Sequence, residues 1–181
     1  MAIGLSTYSF FWRASERVPH PLDLPQMLQQ TAELGAGVFQ ICDFKAIEAF
    51  GVSELLDLKR QADDLGLVLE LGTRGLDTEH LRKYLGFADI LGVRLIRSMF
   101  NSNSLKPTSD QALALLQTVM PQFVEQDVKL ALETYEQVPT RRVLDVIERI
   151  DSPWLGICLD PGNCVAALEN PTDVIDMTAE R

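Results

Sequence analysis

The sequence contains few of the residues that build disulfide scaffolds and zinc centres. Among its 181 residues are three cysteines, Cys42, Cys158 and Cys164, and two histidines, His20 and His80. No two cysteines have the C-x-x-C spacing. An odd set of widely separated cysteines argues against a disulfide framework and against a zinc finger. We therefore expect reduced and mostly buried thiols.

The motifs that bind nucleotide phosphates are also missing. Neither the dinucleotide fingerprint G-x-G-x-x-G nor the P-loop pattern G-x-x-x-x-G-K-[ST] occurs anywhere in the chain. The 16 lysines and arginines are outnumbered by 26 aspartates and glutamates, which gives a net charge of −10. Such a chain lacks the basic surface that a phosphate backbone requires, so we expect no nucleic-acid partner.

Long hydrophobic runs are absent as well. Nowhere do 18 apolar residues follow one another, and the first residues, MAIGLSTYSFFWR, have no basic region before their apolar stretch. These features predict neither a membrane span nor a signal peptide. We expect a cytoplasmic protein with no membrane partner.

Short apolar runs rich in β-forming residues recur about every 30 residues. They are IGLSTYSF from residue 3, VFQICDF from 38, LVLEL from 67, RLIRSMF from 94, KLALETYE from 129 and GICLD from 156. Segments with helical periodicity lie between them, and three of these segments are followed by Gly35, Gly66 or Gly92, a typical helix stop. The alternation predicts repeated βα units, hence an α/β protein with a parallel sheet.

The number of units leaves two architectures open. Six units of this size account for residues 1–181 as a single α/β domain, whereas a complete (β/α)₈ TIM barrel has eight units and about 250 residues. An open, doubly wound parallel sheet fits the length without remainder. Either architecture would gather ligands at the carboxyl ends of its strands.

Two carboxylates at predicted strand ends are the main candidates for chemistry. Glu133 follows the apolar run LAL, where a lone charge would lose much of its hydration. Asp160 ends the next strand, in the stretch LDPGN, and could simply begin a turn. A divalent metal between the two carboxylates would relieve their repulsion. An ion pair between Glu133 and Arg97 on the preceding strand is the alternative.

Other polar residues at strand ends could contact a substrate or merely pair with each other. Gln40 and Glu70 are expected to hydrogen bond within the sheet layer and to take no part in chemistry. The remaining polar or aromatic residues near strand ends are Tyr8, Trp12, Asp43, Arg74, Arg97, Asn101, Tyr135, Glu136 and Asn163. From these we select Tyr8, Trp12, Arg97 and Asn163 as substrate-binding candidates.

Across essentially its whole length the chain resembles the xylose-isomerase-like TIM barrels, a family of sugar and sugar-phosphate isomerases and epimerases. The resemblance is carried by IGLSTYSF, by ELGAGVFQIC, by LELGTRG and most specifically by LALE and LDPGN. It implies a (β/α)₈ TIM barrel of which about six βα units are present. The chain ends at Arg181, within the predicted sixth helix, so we expect it to be truncated.

The resemblance also implies a metal site and an activity. In this family a glutamate ending strand five and an aspartate ending strand six bind a divalent cation, here Mn²⁺, Mg²⁺ or Co²⁺, which maps onto Glu133 and Asp160. A histidine and a second glutamate are expected beyond Arg181. Glu133 would also be the catalytic base, and Asn163 matches a substrate-binding position. Thr134 and Tyr135 depart from the Asn-His that often follows the glutamate.

The implied activity is isomerisation or epimerisation of a keto-sugar, or its phosphate, through an enediolate. A metal-dependent lyase, either a decarboxylase or a dehydratase acting on a keto-sugar acid, is the first alternative, because the same intermediate can lose CO₂ or water. A non-catalytic fragment or ligand-binding barrel is the second. The DNA-repair branch of the family needs many histidines and a basic face, which this chain lacks. Exposed strand edges would favour a homo-oligomer.

Overall fold

The computed structural model describes residues 3–180 and contains six β-strands alternating with α-helices, as the periodicity predicts. The strands are β1 (Gly4–Ser6), β2 (Val38–Cys42), β3 (Val68–Gly72), β4 (Leu95–Met99), β5 (Lys129–Glu133) and β6 (Leu155–Cys158). The helices are α1 (Leu24–Glu33), α2 (Val52–Asp64), α3 (Thr78–Leu91), α4 (Ser109–Glu125), α5 (Thr140–Ile150), α6 (Pro161–Ala166) and α7 (Pro171–Thr178), with two short 3-10 helices at Thr7–Phe10 and Lys45–Ala49.

Helix boundaries follow local chemistry that is visible in the sequence. Helices α1, α2 and α3 end just before Gly35, Gly66 and Gly92, which adopt φ values of +78°, +68° and +68°. Glycine reaches this left-handed conformation without steric cost, so it stops each helix as expected. At the other end, Asp23 and Thr108 begin α1 and α4 with reciprocal capping boxes.

The first strand is shorter than its apolar run. Only Gly4–Ser6 is extended, and the chain then turns into a 3-10 helix, Thr7–Phe10. The Ser6 hydroxyl accepts a hydrogen bond from the Tyr8 backbone, and the Ser9 hydroxyl accepts one from the Ser6 backbone. This local capping competes successfully with continuation of the strand.

The chain divides into two compact units. The first comprises Met1–Gly72 with Gly86–Val93. In it β1 pairs in parallel with β2, and β2 pairs in parallel with β3, in chain order. Its core contains fully buried Met27, Leu28, Phe39 and Leu71.

The second unit comprises Thr73–Leu85 with Arg94–Arg181. Here β4 pairs in parallel with β5, and β5 pairs in parallel with β6. The apolar face of α5 contributes buried Val143, Leu144 and Ile147 to the core of this unit. The organisation of residues 1–181 as a single domain stays a prediction.

Within residues 3–180, none of the helices has the length and apolar character needed to cross a membrane.

Candidate active site at the strand ends of the second unit

Glu133 ends β5 and forms a buried ion pair with Arg97 of β4. Arg97 Nε lies 3.2 Å from Glu133 Oε2, and the two side chains are only 5% and 13% exposed. The strand register explains the contact. Arg97 lies opposite Ala131, two residues before Glu133, and alternate residues of a strand point to the same face. The ion-pair alternative is therefore the arrangement observed, and Arg97 compensates the buried charge of Glu133.

Arg97 also forms two hydrogen bonds with the backbone of Thr73. Its Nη1 donates to the Thr73 carbonyl oxygen at 3.0 Å, while the Thr73 backbone N–H donates to the Arg97 carbonyl oxygen at 2.8 Å. These contacts lock the guanidinium in place beside Glu133. The observed partners of Arg97 are thus structural, and a substrate-binding role for it stays a prediction.

Asp160 caps a helix. It is the N-cap of α6, with Pro161 in the first turn, and its Oδ1 accepts from the Asn163 backbone N–H at 3.1 Å. The Asn163 side chain also donates to Asp160 Oδ2 at 3.1 Å. The stretch DPGN therefore begins a helix and not an isolated turn, because Asp is a favoured N-cap and Pro is tolerated at the first helical position.

Thr134 joins the ends of β5 and β6, a role that the sequence did not reveal. Its buried hydroxyl accepts from the Asp160 N–H at 2.8 Å and donates to the Asp160 carbonyl oxygen at 3.1 Å. The Asn163 side chain donates to the Thr134 carbonyl oxygen at 3.0 Å. Asn163 and Thr134 together therefore fix the position of Asp160.

The first unit contains the same hydrogen-bond arrangement. The buried Thr7 hydroxyl donates to the Cys42 carbonyl oxygen at 2.5 Å and accepts from the Cys42 N–H at 3.0 Å. In both units a threonine directly after one strand bonds both backbone groups of a single residue at the end of the next. The only sequence signal was a threonine following an apolar run, which is too common to identify the contact.

The two carboxylates follow the ends of neighbouring strands of the second unit. Glu133 is opposite Cys158, and Asp160 follows Cys158 by two residues. Oxygen ligands of this kind suit Mg²⁺ or Mn²⁺. Among residues 3–180, however, no group of three or more His, Cys, Asp or Glu side chains is placed to hold a metal ion. The donors therefore fit a hard cation in kind but are too few to enclose one.

Tyr8 and Trp12 belong to the first unit. The Tyr8 hydroxyl donates to Asp43 Oδ2 at 2.9 Å, and Tyr8 lines a cavity of about 280 Å³ together with Phe11 and Asp43. Trp12 is 71% exposed and packs edge-to-face on Phe11, with ring centroids 5.2 Å apart. Their roles as substrate contacts stay predictions.

Gln40 and Glu70 form the hydrogen bond expected of them. They lie opposite each other in β2 and β3, and Gln40 Nε2 donates to Glu70 Oε2 at 3.1 Å. This cross-strand contact supplies a partner for two polar groups inside the sheet layer.

Comparison with known proteins connects the whole chain to curated and solved relatives. It is 65% identical, over all 181 residues, to the 3-oxo-isoapionate decarboxylase of Pectobacterium atrosepticum, and it spans 66% of that protein's length. A D-psicose 3-epimerase crystallised with D-fructose superposes with a TM-score of 0.80 at 13% identity, covering 98% of this chain and 70% of the epimerase.

A third relative is the IolI protein, whose crystal structure holds a zinc atom. It superposes with a TM-score of 0.69 at 15% identity, over 94% of this chain and 66% of its own. At such identities these two structures establish the fold alone. The family model for xylose isomerase-like TIM barrels matches residues 28–181. The chain therefore belongs to the xylose isomerase-like TIM barrel family and has its fold, not that of an open doubly wound sheet.

Proposed function

We propose that this protein is a carbon–carbon lyase that decarboxylates a 3-oxo sugar acid. The observation that carries the proposal is the 65% identity, over the entire chain, to a 3-oxo-isoapionate decarboxylase. The isomerase or epimerase expected first has support only from fold, at 13% identity. The comparisons thus favour the lyase alternative over the primary prediction, although both belong to one enzyme family.

Decarboxylation of a 3-oxo acid requires no base that removes a carbon-bound proton. The bond between C2 and the carboxylate carbon breaks, its electron pair moves towards the 3-oxo oxygen, CO₂ leaves, and a proton adds to C2. An isomerase instead needs a base that removes a carbon-bound proton. The lyase reaction therefore depends chiefly on substrate orientation and on stabilisation of negative charge at the 3-oxo oxygen.

In this proposal the residues of the second unit bind a metal ion and orient the carboxylates that hold it. Glu133 and Asp160 are the candidate metal ligands, and a divalent cation bound there would polarise the 3-oxo oxygen. Arg97 keeps the Glu133 carboxylate in one orientation through the 3.2 Å ion pair. Asn163 and Thr134 do the same for Asp160 through their hydrogen bonds.

The proposal is tested by supplying the purified intact protein and Mn²⁺ with 3-oxo-isoapionate and measuring CO₂ release in a coupled assay. We expect one CO₂ per substrate consumed. Glu133→Gln should abolish release, whereas Glu136→Gln, an exposed neighbour three residues away, should not. Interconversion of D-fructose and D-psicose without any release of CO₂ from the oxo acid would refute the lyase and restore the epimerase.

A further inference from the structure

A small polar cavity in the second unit has two basic residues in its wall and no acidic one. Its volume is about 170 Å³, and Arg74 and Lys106 line it together with Asn101, Asn103 and Tyr135. In a chain where 26 acidic residues outnumber 16 basic ones, this is a locally basic site. Arg74, Asn101 and Tyr135 each lie two residues beyond the end of a strand, β3, β4 and β5 respectively.

The cavity adjoins the candidate active site. Met99, which also lines it, is the strand partner of Glu133, and Tyr135 follows Glu133 by two residues. Arg74 comes directly after Thr73, whose carbonyl oxygen accepts the hydrogen bond from Arg97. The basic wall therefore lies at the same strand ends as the buried Arg97–Glu133 pair.

The segments that carry the two basic residues are packed against each other. Gly75, next to Arg74, has φ +91°, and a Cβ atom there would lie 2.7 Å from Ser102 Cβ. Ser102 in turn accepts from the Leu105 backbone N–H at 3.0 Å, which closes the turn leading to Lys106. Because backbone fixes both segments, the cavity is formed without a ligand, and binding requires little reordering of the chain.

We propose that this cavity binds the carboxylate of the substrate, with the neighbouring amide and phenol groups contacting hydroxyls. The assignment rests on the proposed function, since a 3-oxo sugar acid is an anion that bears hydroxyls. Guanidinium and ammonium groups form charge-assisted hydrogen bonds with carboxylates. The cavity is smaller than the roughly 300 Å³ at which pockets for whole ligands begin, so it accommodates one end of a small acid.

This placement has a kinetic consequence. The carboxylate becomes neutral CO₂, so its attraction to Arg74 and Lys106 is strongest in the bound substrate and declines as the bond breaks. Interactions that favour the bound substrate at least as much as the transition state contribute to affinity and not to turnover. The two residues should therefore act on KM far more than on kcat.

The test uses Arg74→Gln and Lys106→Gln, with Lys129→Gln as the matched control, because Lys129 is an exposed lysine at the opposite end of β5. We expect KM for 3-oxo-isoapionate to rise about tenfold in each cavity variant, the size of one lost charged contact. The change in kcat should be under about threefold, and the control should match wild type. Arg74→Lys should recover part of the affinity, which a purely structural role would not give.

A binding measurement distinguishes an error in the cavity assignment from an error in the proposed reaction. Calorimetry with D-xylonate and its uncharged counterpart xylitol should show that only the acid loses affinity in the two cavity variants. If wild type releases no CO₂ yet shows this pattern, the lyase is wrong and the anion site stands. If wild type releases CO₂ while both variants retain its KM and its affinity for xylonate, the cavity assignment is overturned.

Discussion

At the scale of single residues, the buried pair of Glu133 and Arg97 decides how a mutation at the site must be interpreted. Both charged groups are largely removed from water. Arg97 Nε lies 3.2 Å from Glu133 Oε2, so each charge neutralises the other. Removing one member of such a pair leaves a buried charge without its counter-ion, which costs far more than the net contribution of the pair. Loss of activity at Glu133 therefore does not by itself show a catalytic role.

We expect Glu133→Gln to lower the free energy of unfolding by about 3 kcal/mol, because Arg97 then remains charged and buried. Combining Glu133→Gln with Arg97→Met should recover much of the lost stability without restoring activity. Urea denaturation of the two single variants, the double variant and Glu136→Gln measures the coupling. A cost below about 1 kcal/mol for Glu133→Gln would mean that the pair is effectively solvated.

At the scale of secondary-structure elements, threonines tie neighbouring strand ends together. Thr134 bonds both backbone groups of Asp160, and Thr7 bonds both backbone groups of Cys42. Each contact continues the hydrogen bonding between parallel strands beyond the last ladder pair. In the second unit this holds the Asp160 carboxylate next to Asn163 at the start of α6.

Thr134→Val should destabilise the protein by about 2 kcal/mol, since valine keeps the shape but leaves the Asp160 N–H without its partner. The Asp160 carbonyl oxygen still accepts from the Cys164 N–H at 3.2 Å. Thr134→Ser, which retains the hydroxyl, should cost much less. Thr118→Val on the exposed face of α4 is the matched control, since that hydroxyl bonds only the Ala114 carbonyl of its own helix. Equal stability of the Thr134→Val and Thr118→Val variants, measured by thermal unfolding, would contradict this role.

At the scale of the whole molecule, the family is established while the metal site stays a prediction. Among residues 3–180 the candidate ligands are two carboxylates, one paired with Arg97 and the other capping a helix. The chain spans 66% of the length of its decarboxylase relative. The cytoplasmic location and the homo-oligomer stay predictions.

We expect calorimetry to show no stoichiometric binding of Mn²⁺ to the 181-residue chain. Two carboxylates supply too few ligands to replace the water around a hard cation. Asp160→Asn should leave the titration unchanged, as should the control Asp151→Asn. A dissociation constant in the micromolar range or tighter, lost in Asp160→Asn, would show that Glu133 and Asp160 suffice as protein ligands.

The sequence by itself determined the alternation of strands and helices, the glycine stops at Gly35, Gly66 and Gly92, and the family, through LALE and LDPGN. These features depend on backbone preferences and on apolar periodicity, which are local properties of the chain. For the same reason it located Glu133 and Asp160 at the ends of their strands. It also left the partner of Glu133 open between a metal and Arg97.

Only the tertiary structure decided that Arg97 pairs with Glu133, and a metal-binding role for Glu133 stays a prediction. The strand register brings Arg97 beside Glu133, and it places Thr134 against Asp160, 26 residues along the chain. The basic cavity likewise combines Arg74, Lys106 and Tyr135 from three separate segments. Contacts between residues so far apart form only when parallel strands pair across a long crossover connection, so a pattern of neighbouring residues does not reveal them.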